Sequence, residues 1–276
     1  MLDVDPDGIL IGNGSDDLLT IVTRAFVPQG GCIAAPTPSY VLYPSLAQIQ
    51  GAAFVSVPFN ADWSLPDPWP LADKANLVFL TNPNSPSGTM IEPEQVAAWA
   101  SSLGAPLVLD EAYVDFANCN GLKLIGKQPI VVLRSLSKSY GLAGLRFGFA
   151  VGDPAIIGEL NKVKDSYNCD VLSLAGAQAA LEDQDYVCQT RLRILATRER
   201  LTKLMQSLGF AVSPSQANFV WCRRSDRPVK PLYEELKRRR ILVRYMAYAG
   251  YGDGLRISVG SDSEIDRFLE ELGRIL

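Results

Sequence analysis

Short apolar runs without strict alternation, separated by helix-forming stretches, constrain this chain more than any other feature. They begin with Gly8-Ile-Leu-Ile-Gly12 and continue at Cys32-Ile-Ala-Ala35, Phe54-Val-Ser-Val57 and Leu77-Val-Phe-Leu80. Leu107-Val-Leu-Asp110, Ile130-Val-Val-Leu133 and residues 146–151 complete the set. Strands apolar at nearly every position belong to a sheet covered on both faces, and the intervening helices, starting at 16–26, provide the cover. The pattern predicts an α/β domain with a mainly parallel central sheet. After Gly176 the order changes. A charged helix is expected over 185–208, with Leu192, Leu195, Leu201, Leu204 and Leu208 near helical spacing. A strand at 218–221, a helix at 231–240, strands near 241–244 and 255–259, and a closing helix from Ser263 follow. The expectation is a large domain over 1–184 and a smaller α+β domain over 185–276.

Composition narrows the chemistry. The net charge of −4 gives no electrostatic reason to expect nucleic acid or an anionic membrane as partner. No apolar run has the length of a membrane span, and the acidic opening of the chain is unlike a secretory signal. The five cysteines have no paired spacing, which points to reduced thiols in a cytoplasmic protein. There is no histidine at all. Serine–histidine and cysteine–histidine catalysis are therefore excluded, and no metal site is expected. Acid–base work falls to lysine, tyrosine, carboxylates or a cofactor.

The segment Ser135-Leu-Ser-Lys138-Ser-Tyr-Gly-Leu-Ala-Gly-Leu-Arg146 follows a predicted buried strand. A lysine among apolar and hydroxyl groups can act as an amine nucleophile toward a carbonyl. Ser135 and Ser137 can donate to phosphate oxygens, and Arg146 can grip a phosphate through two parallel hydrogen bonds. Earlier, Gly12-Asn-Gly14-Ser15-Asp16 joins a strand to a helix, a turn whose exposed N–H groups suit a phosphate.

Together these motifs closely resemble those of the fold-type-I, pyridoxal-phosphate-dependent aminotransferases, and especially the histidinol-phosphate aminotransferase family. The resemblance implies that Lys138 holds pyridoxal 5′-phosphate as a Schiff base and that Arg146 binds its phosphate, beside Gly14, Ser15, Asp16, Ser135 and Ser137. In Asp110-Glu-Ala-Tyr113, it makes Asp110 the partner of the ring nitrogen and Tyr113 a donor to the ring phenolate oxygen. Tyr40 is the ring-stacking aromatic. The family's N-P-[TS]-G turn matches residues 82–88, but Ser85 stands where the family has its asparagine, with Asn84 directly before it; either residue, or a water, can fill the role. Arg256, Arg244 and Asn218 match substrate-binding positions.

The implied reaction exchanges an amino group between L-histidinol phosphate and the glutamate/2-oxoglutarate pair in histidine biosynthesis, within a homodimer. Only residues 1–13 precede Gly14, so the family's N-terminal arm is expected to be missing. Three alternatives stay open: another fold-type-I aminotransferase, a threonine-phosphate decarboxylase, and a catalytically silent truncated form.

Overall fold

A computed structural model describes residues 4–71 and 74–276; the acidic opening at residues 1–3 lies outside the described residues. The first half alternates strand and helix as the apolar runs predict: β1 (Ile9–Gly12), α1 (Ser15–Phe26), β2 (Cys32–Thr37), α2 (Leu42–Gln50) and β3 (Ala53–Pro58). Next come β4 (Leu77–Thr81), α3 (Pro93–Ala100), β5 (Leu107–Asp110), β6 (Ile130–Ser135) and the single turn α4 (Leu136–Ser139). β7 (Gly148–Val151) and α5 (Pro154–Val163) close this unit. The seven strands form one sheet in the order β1-β7-β6-β5-β4-β2-β3. β7 runs antiparallel to both neighbours, and all the other pairings are parallel.

The burial pattern explains that order. β4, β5 and β6 are buried at every position and sit in the middle, whereas β3 is largely exposed and forms an edge. On one face, Leu18, Val22, Tyr43 and Ile157 from α1, α2 and α5 pack against Leu10, Phe79 and Val131. On the other face, Trp99 and Val96 of α3 pack with Val78, Leu80 and Val132.

The rest of the chain comprises α6 (Val171–Glu182), α7 (Gln184–Ser207), β8 (Ala211–Val212), β9 (Phe219–Arg223), α8 (Lys230–Arg238), β10 (Arg244–Tyr248), β11 (Gly252–Ser258) and α9 (Asp262–Gly273). A four-stranded antiparallel sheet, β10-β11-β9-β8, packs on α7, α8 and α9 through Leu201, Met205, Val220, Leu255 and Phe268. The two sheets touch: Trp221 and Tyr251 join the core around Trp63 and Trp99.

Three expectations need correction. The strand expected at 241–244 begins instead at Arg244 and runs to Tyr248. Arg240 takes φ 62, a left-handed stop after α8, and Ile241 folds back to donate to Leu236 O. Ile241 and Val243 therefore pack as a loop on the small core, with Leu242 exposed between them. The leucine stripe of α7 is only partly inward: Leu201 is buried but Leu192 and Leu204 are exposed. Arg146 lies outside the strand expected to start with it, since β7 begins at Gly148.

Candidate active site

Parallel strands deliver the sequence-predicted residues to a single edge. In open α/β sheets the ligand crevice lies beyond the carboxyl ends of the strands. β1 lies antiparallel to β7, which lies antiparallel to β6, so β1 points the same way as the parallel set. The carboxyl ends of β1, β2, β4, β5 and β6 therefore carry Gly14–Asp16, Tyr40, Asn84–Ser85, Asp110–Tyr113 and Ser135–Lys138 respectively. Arg146 reaches the same edge from just before β7.

At one end of this edge the Gly14 turn meets Arg146. Gly14 has φ 82 and caps α1, whose first turn carries Asp16 and Asp17. A Cβ on Gly14 would come within 2.6 Å of the Arg146 guanidinium, so only glycine lets that side chain lie across the turn. Arg146 itself holds φ 52, a left-handed conformation that costs a non-glycine residue about 1 kcal/mol or more. Its guanidinium lies 3.3 Å from Asp16 Oδ2, with both side chains half exposed. Ser135 caps the Lys138 turn by accepting from Ser137 N, and Ser137 Oγ is buried with no hydrogen-bond partner among the described residues.

At the centre, Asp110 is buried and has no cationic partner among the described residues. Tyr43 donates to its Oδ2 at 2.9 Å and Ala112 N to its Oδ1 at 3.2 Å. Burial pushes this carboxyl up to about 6, opposed chiefly by the Tyr43 hydrogen bond. Lys138 Nζ stands over the Tyr113 ring, 5.6 Å from its centroid, and forms no ion pair among the described residues. Burial raises the Tyr113 hydroxyl, and the Arg256 charge pulls it back. Tyr40 donates to Asp16 at 3.1 Å; burial and that carboxylate push its hydroxyl up to about 12.

The second sheet closes the far side. Arg256 donates to Ser85 Oγ at 2.8 Å and lies over the Phe219 ring at 4.9 Å, while Phe219 meets Tyr113 edge-on at 5.0 Å. Arg244 sits directly across the β10–β11 ladder from Arg256. Of the ambiguous pair, Ser85 faces Arg256, whereas the Asn84 amide donates to Pro38 O and Ser87 Oγ. Asn218 precedes β9, and its carbonyl accepts from Val259 N.

Sequence reasoning missed three contributors. Tyr43 contacts Asp110 across a separation of 67 residues, which no local motif displays. Phe219 is a stacking platform disguised as a core strand residue. Glu111 and Arg134, the neighbours of Asp110 and Ser135, form a buried ion pair at 2.8 Å; Arg134 also reaches Asp115, which accepts from Ser139. Oppositely charged residues at the ends of adjacent buried strands were the available signal.

Known proteins agree with this geometry. Residues 1–272 match the family described as aminotransferase class I and II. A histidinol-phosphate aminotransferase of Rhodopirellula baltica is 50% identical over 263 residues, covering 95% of this chain and 73% of the relative. One from Trichormus variabilis is 41% identical, covering 96% of this chain and 76% of the relative. The crystal structure of histidinol-phosphate aminotransferase from Sinorhizobium meliloti in complex with pyridoxal-5′-phosphate superimposes with a TM-score of 0.90 at 29% identity, covering 99% of this chain and 78% of that one. The chain belongs to the class I and II aminotransferases.

Proposed function

We propose that this protein transfers the amino group of L-histidinol phosphate to 2-oxoglutarate, a step of histidine biosynthesis, using pyridoxal 5′-phosphate. The observation that carries the reading is Asp110: a buried carboxylate without a cation, on the same strand-end edge as an unpaired lysine. The residues fit the cofactor. Arg146, the Gly14–Asp16 turn, Ser135 and the unpartnered Ser137 hydroxyl would hold its phosphate. Lys138 would hold it covalently, Tyr40 against the ring face, and Tyr113 with Ser85 at the phenolate oxygen. Asp110 would take the ring N–H and supply the counter-charge that keeps that nitrogen protonated. The bound cofactor supplies an electron sink for charge developing at the substrate Cα. Lys138 Nζ would move the proton at that carbon.

Substrate charge follows from the arginines. Arg244 and Arg256 oppose each other across two strands, a like-charge pairing that is destabilising until an anion bridges it. Arg256 donates to Ser85 through Nη1, but its buried Nε has no hydrogen-bond partner among the described residues. A phosphate dianion would satisfy both arginines.

Residues 1–184 form the cofactor-binding domain in this reading and residues 185–276 the substrate-gripping one. The protein works in the cytoplasm as a homodimer. The free cysteines suit a reducing compartment, and no described helix is long and apolar enough to cross a membrane. The test is direct: protein reconstituted with cofactor is given histidinol phosphate and 2-oxoglutarate, and glutamate is measured. Glutamate formation that Lys138→Ala abolishes supports the assignment. Carbon dioxide release from threonine phosphate without glutamate formation would overturn it.

A further inference from the structure

We propose that Ser39, Thr81 and Tyr43 form a one-way chain of hydroxyl donors that holds Asp110 as a carboxylate directed at the cofactor ring nitrogen, with Tyr43 as the positioning residue. The inference rests on the cofactor site described above.

Hydrogen-bond accounting fixes the direction. An ionised carboxylate only accepts, so the 2.9 Å contact from Tyr43 to Asp110 Oδ2 uses the one hydrogen of the phenol. The 2.6 Å contact between Tyr43 and Thr81 must then be donated by Thr81 Oγ1. Thr81 has no hydrogen left for its 3.0 Å contact with Ser39, so Ser39 donates. The three hydroxyl dipoles run in series toward one carboxylate, an arrangement in which each bond polarises the next. A proton on Asp110 Oδ2 would reverse the series, and one on Oδ1 would leave Tyr43 donating to a neutral, weaker acceptor. The arrangement with all donors aimed inward is therefore the one that stabilises the charge.

Packing makes the chain rigid where it matters. Tyr43 is fully buried on α2, and its ring stacks on Phe79 at 4.5 Å and 15°. Its hydroxyl has no room to seek another partner. Thr81 ends β4, the sheet neighbour of β5, so chain and carboxylate are fixed by adjacent parallel strands. Ser39 lines an open cleft with Tyr40 and Tyr248, which gives the outer end contact with solvent. Other groups also act on Asp110: Asp16 at the start of α1 opposes its charge, Lys138 favours it, and Tyr40 and Tyr113 stand close by. Among these side chains Tyr43 is the one hydrogen-bonded to it, beside the Ala112 amide. In a chain with no histidine, hydroxyls are what remains for this task.

The experiment follows the carboxyl carbon of Asp110 by NMR in cofactor-free protein labelled at aspartate, with Asp110→Asn assigning the resonance. Tyr43→Phe keeps the stacked ring and deletes only the donor. The midpoint of Asp110 should rise by about one to two pH units, the equivalent of one hydrogen bond to a charged group. Thr81→Val, which leaves Tyr43 donating but unpolarised, should raise it less. An unmoved midpoint in Tyr43→Phe overturns the proposal. If that variant does not fold, Thr81→Val decides in its place: a raised midpoint supports the chain and an unmoved one refutes it. Measured at a pH below both midpoints, Tyr43→Phe should bind pyridoxal phosphate about tenfold more weakly for every pH unit by which the midpoint rises. Wild-type protein that takes up no cofactor would sink the ring-nitrogen half of the inference together with the functional reading. The NMR titration would still decide the other half.

Discussion

Asp110 bears on stability as well as chemistry. Its carboxyl sits at about 6 when folded against an ordinary 3.8, because burial disfavours its charge. A raised acid binds more protons folded than unfolded between those values, so its contribution to stability is full at low pH and falls as pH rises toward 6. Above that it is a constant penalty. Cofactor-free Asp110→Asn protein should therefore gain stability relative to wild type as pH goes from about 4 to about 6, with a flat difference beyond. Urea midpoints across that range test it, and a difference that stays constant from pH 4 to 6 refutes it. The long motif around Lys138 singled that lysine out, and Asp110 stood out only by its place 28 residues before it. Tyr43 was not legible, because in the run Pro38-Ser-Tyr-Val-Leu-Tyr43 nothing distinguishes the tyrosine that lines the site from the one buried behind it. Only the fold, by bringing Tyr43 at the start of α2 to the ends of β4 and β5, sets them apart.

Elements were legible where burial is symmetric and obscure where it is not. β4, β5 and β6 announced themselves as unbroken apolar runs because both of their faces are covered. Residues 241–243 have the same look but follow a left-handed helix stop; Ile241 and Val243 pack on the small core without ladder bonds, while Leu242 is exposed. The pairing of Arg244 with Arg256 was invisible for a related reason. It depends on the register of the β10–β11 hairpin, which the turn at Gly250 and Gly252 sets through two positive-φ glycines. The charged face of α7 was likewise opaque. Arg198 donates to both Phe116 O and Ala217 O, and Arg191 to Asp115 O and Ala117 O. These arginines pin the long helix to the loop behind Tyr113 and to the approach to Asn218. Replacing Arg198 by leucine keeps the apolar stem but leaves two carbonyls without that donor, at about 1–3 kcal/mol. Its urea midpoint should fall accordingly, and the Michaelis constant for histidinol phosphate should rise as Asn218 loosens. An unchanged midpoint would mean that water replaces the guanidinium without loss.

For the whole molecule, α6 poses the remaining physical problem. Its sequence, Val-Leu-Ser-Leu-Ala-Gly-Ala-Gln-Ala-Ala-Leu-Glu, is apolar almost all round, the pattern of a helix buried on every side. Yet only Ser173 and Ala177 are buried within one chain, while Val171 and Leu172 are about three-quarters exposed, at 75% and 72%. Tyr167 just before the helix and Tyr186 just after it are exposed too. A contiguous apolar surface of this kind is uncommon on a monomer. The homodimer of the proposed function accounts for it, because a two-fold interface presents the same patch from both copies and buries both at once. Since Leu172 contributes little to the folded single chain, Leu172→Glu should leave thermal unfolding of the isolated subunit nearly unchanged. It should nonetheless place a charge at the interface, where burial without a partner costs several kcal/mol. Sedimentation equilibrium should find wild type at twice the chain mass and the variant at the chain mass over the same micromolar range. Wild type sedimenting as a single chain there, or a variant that stays paired, would mean that α6 is not the surface on which two copies meet.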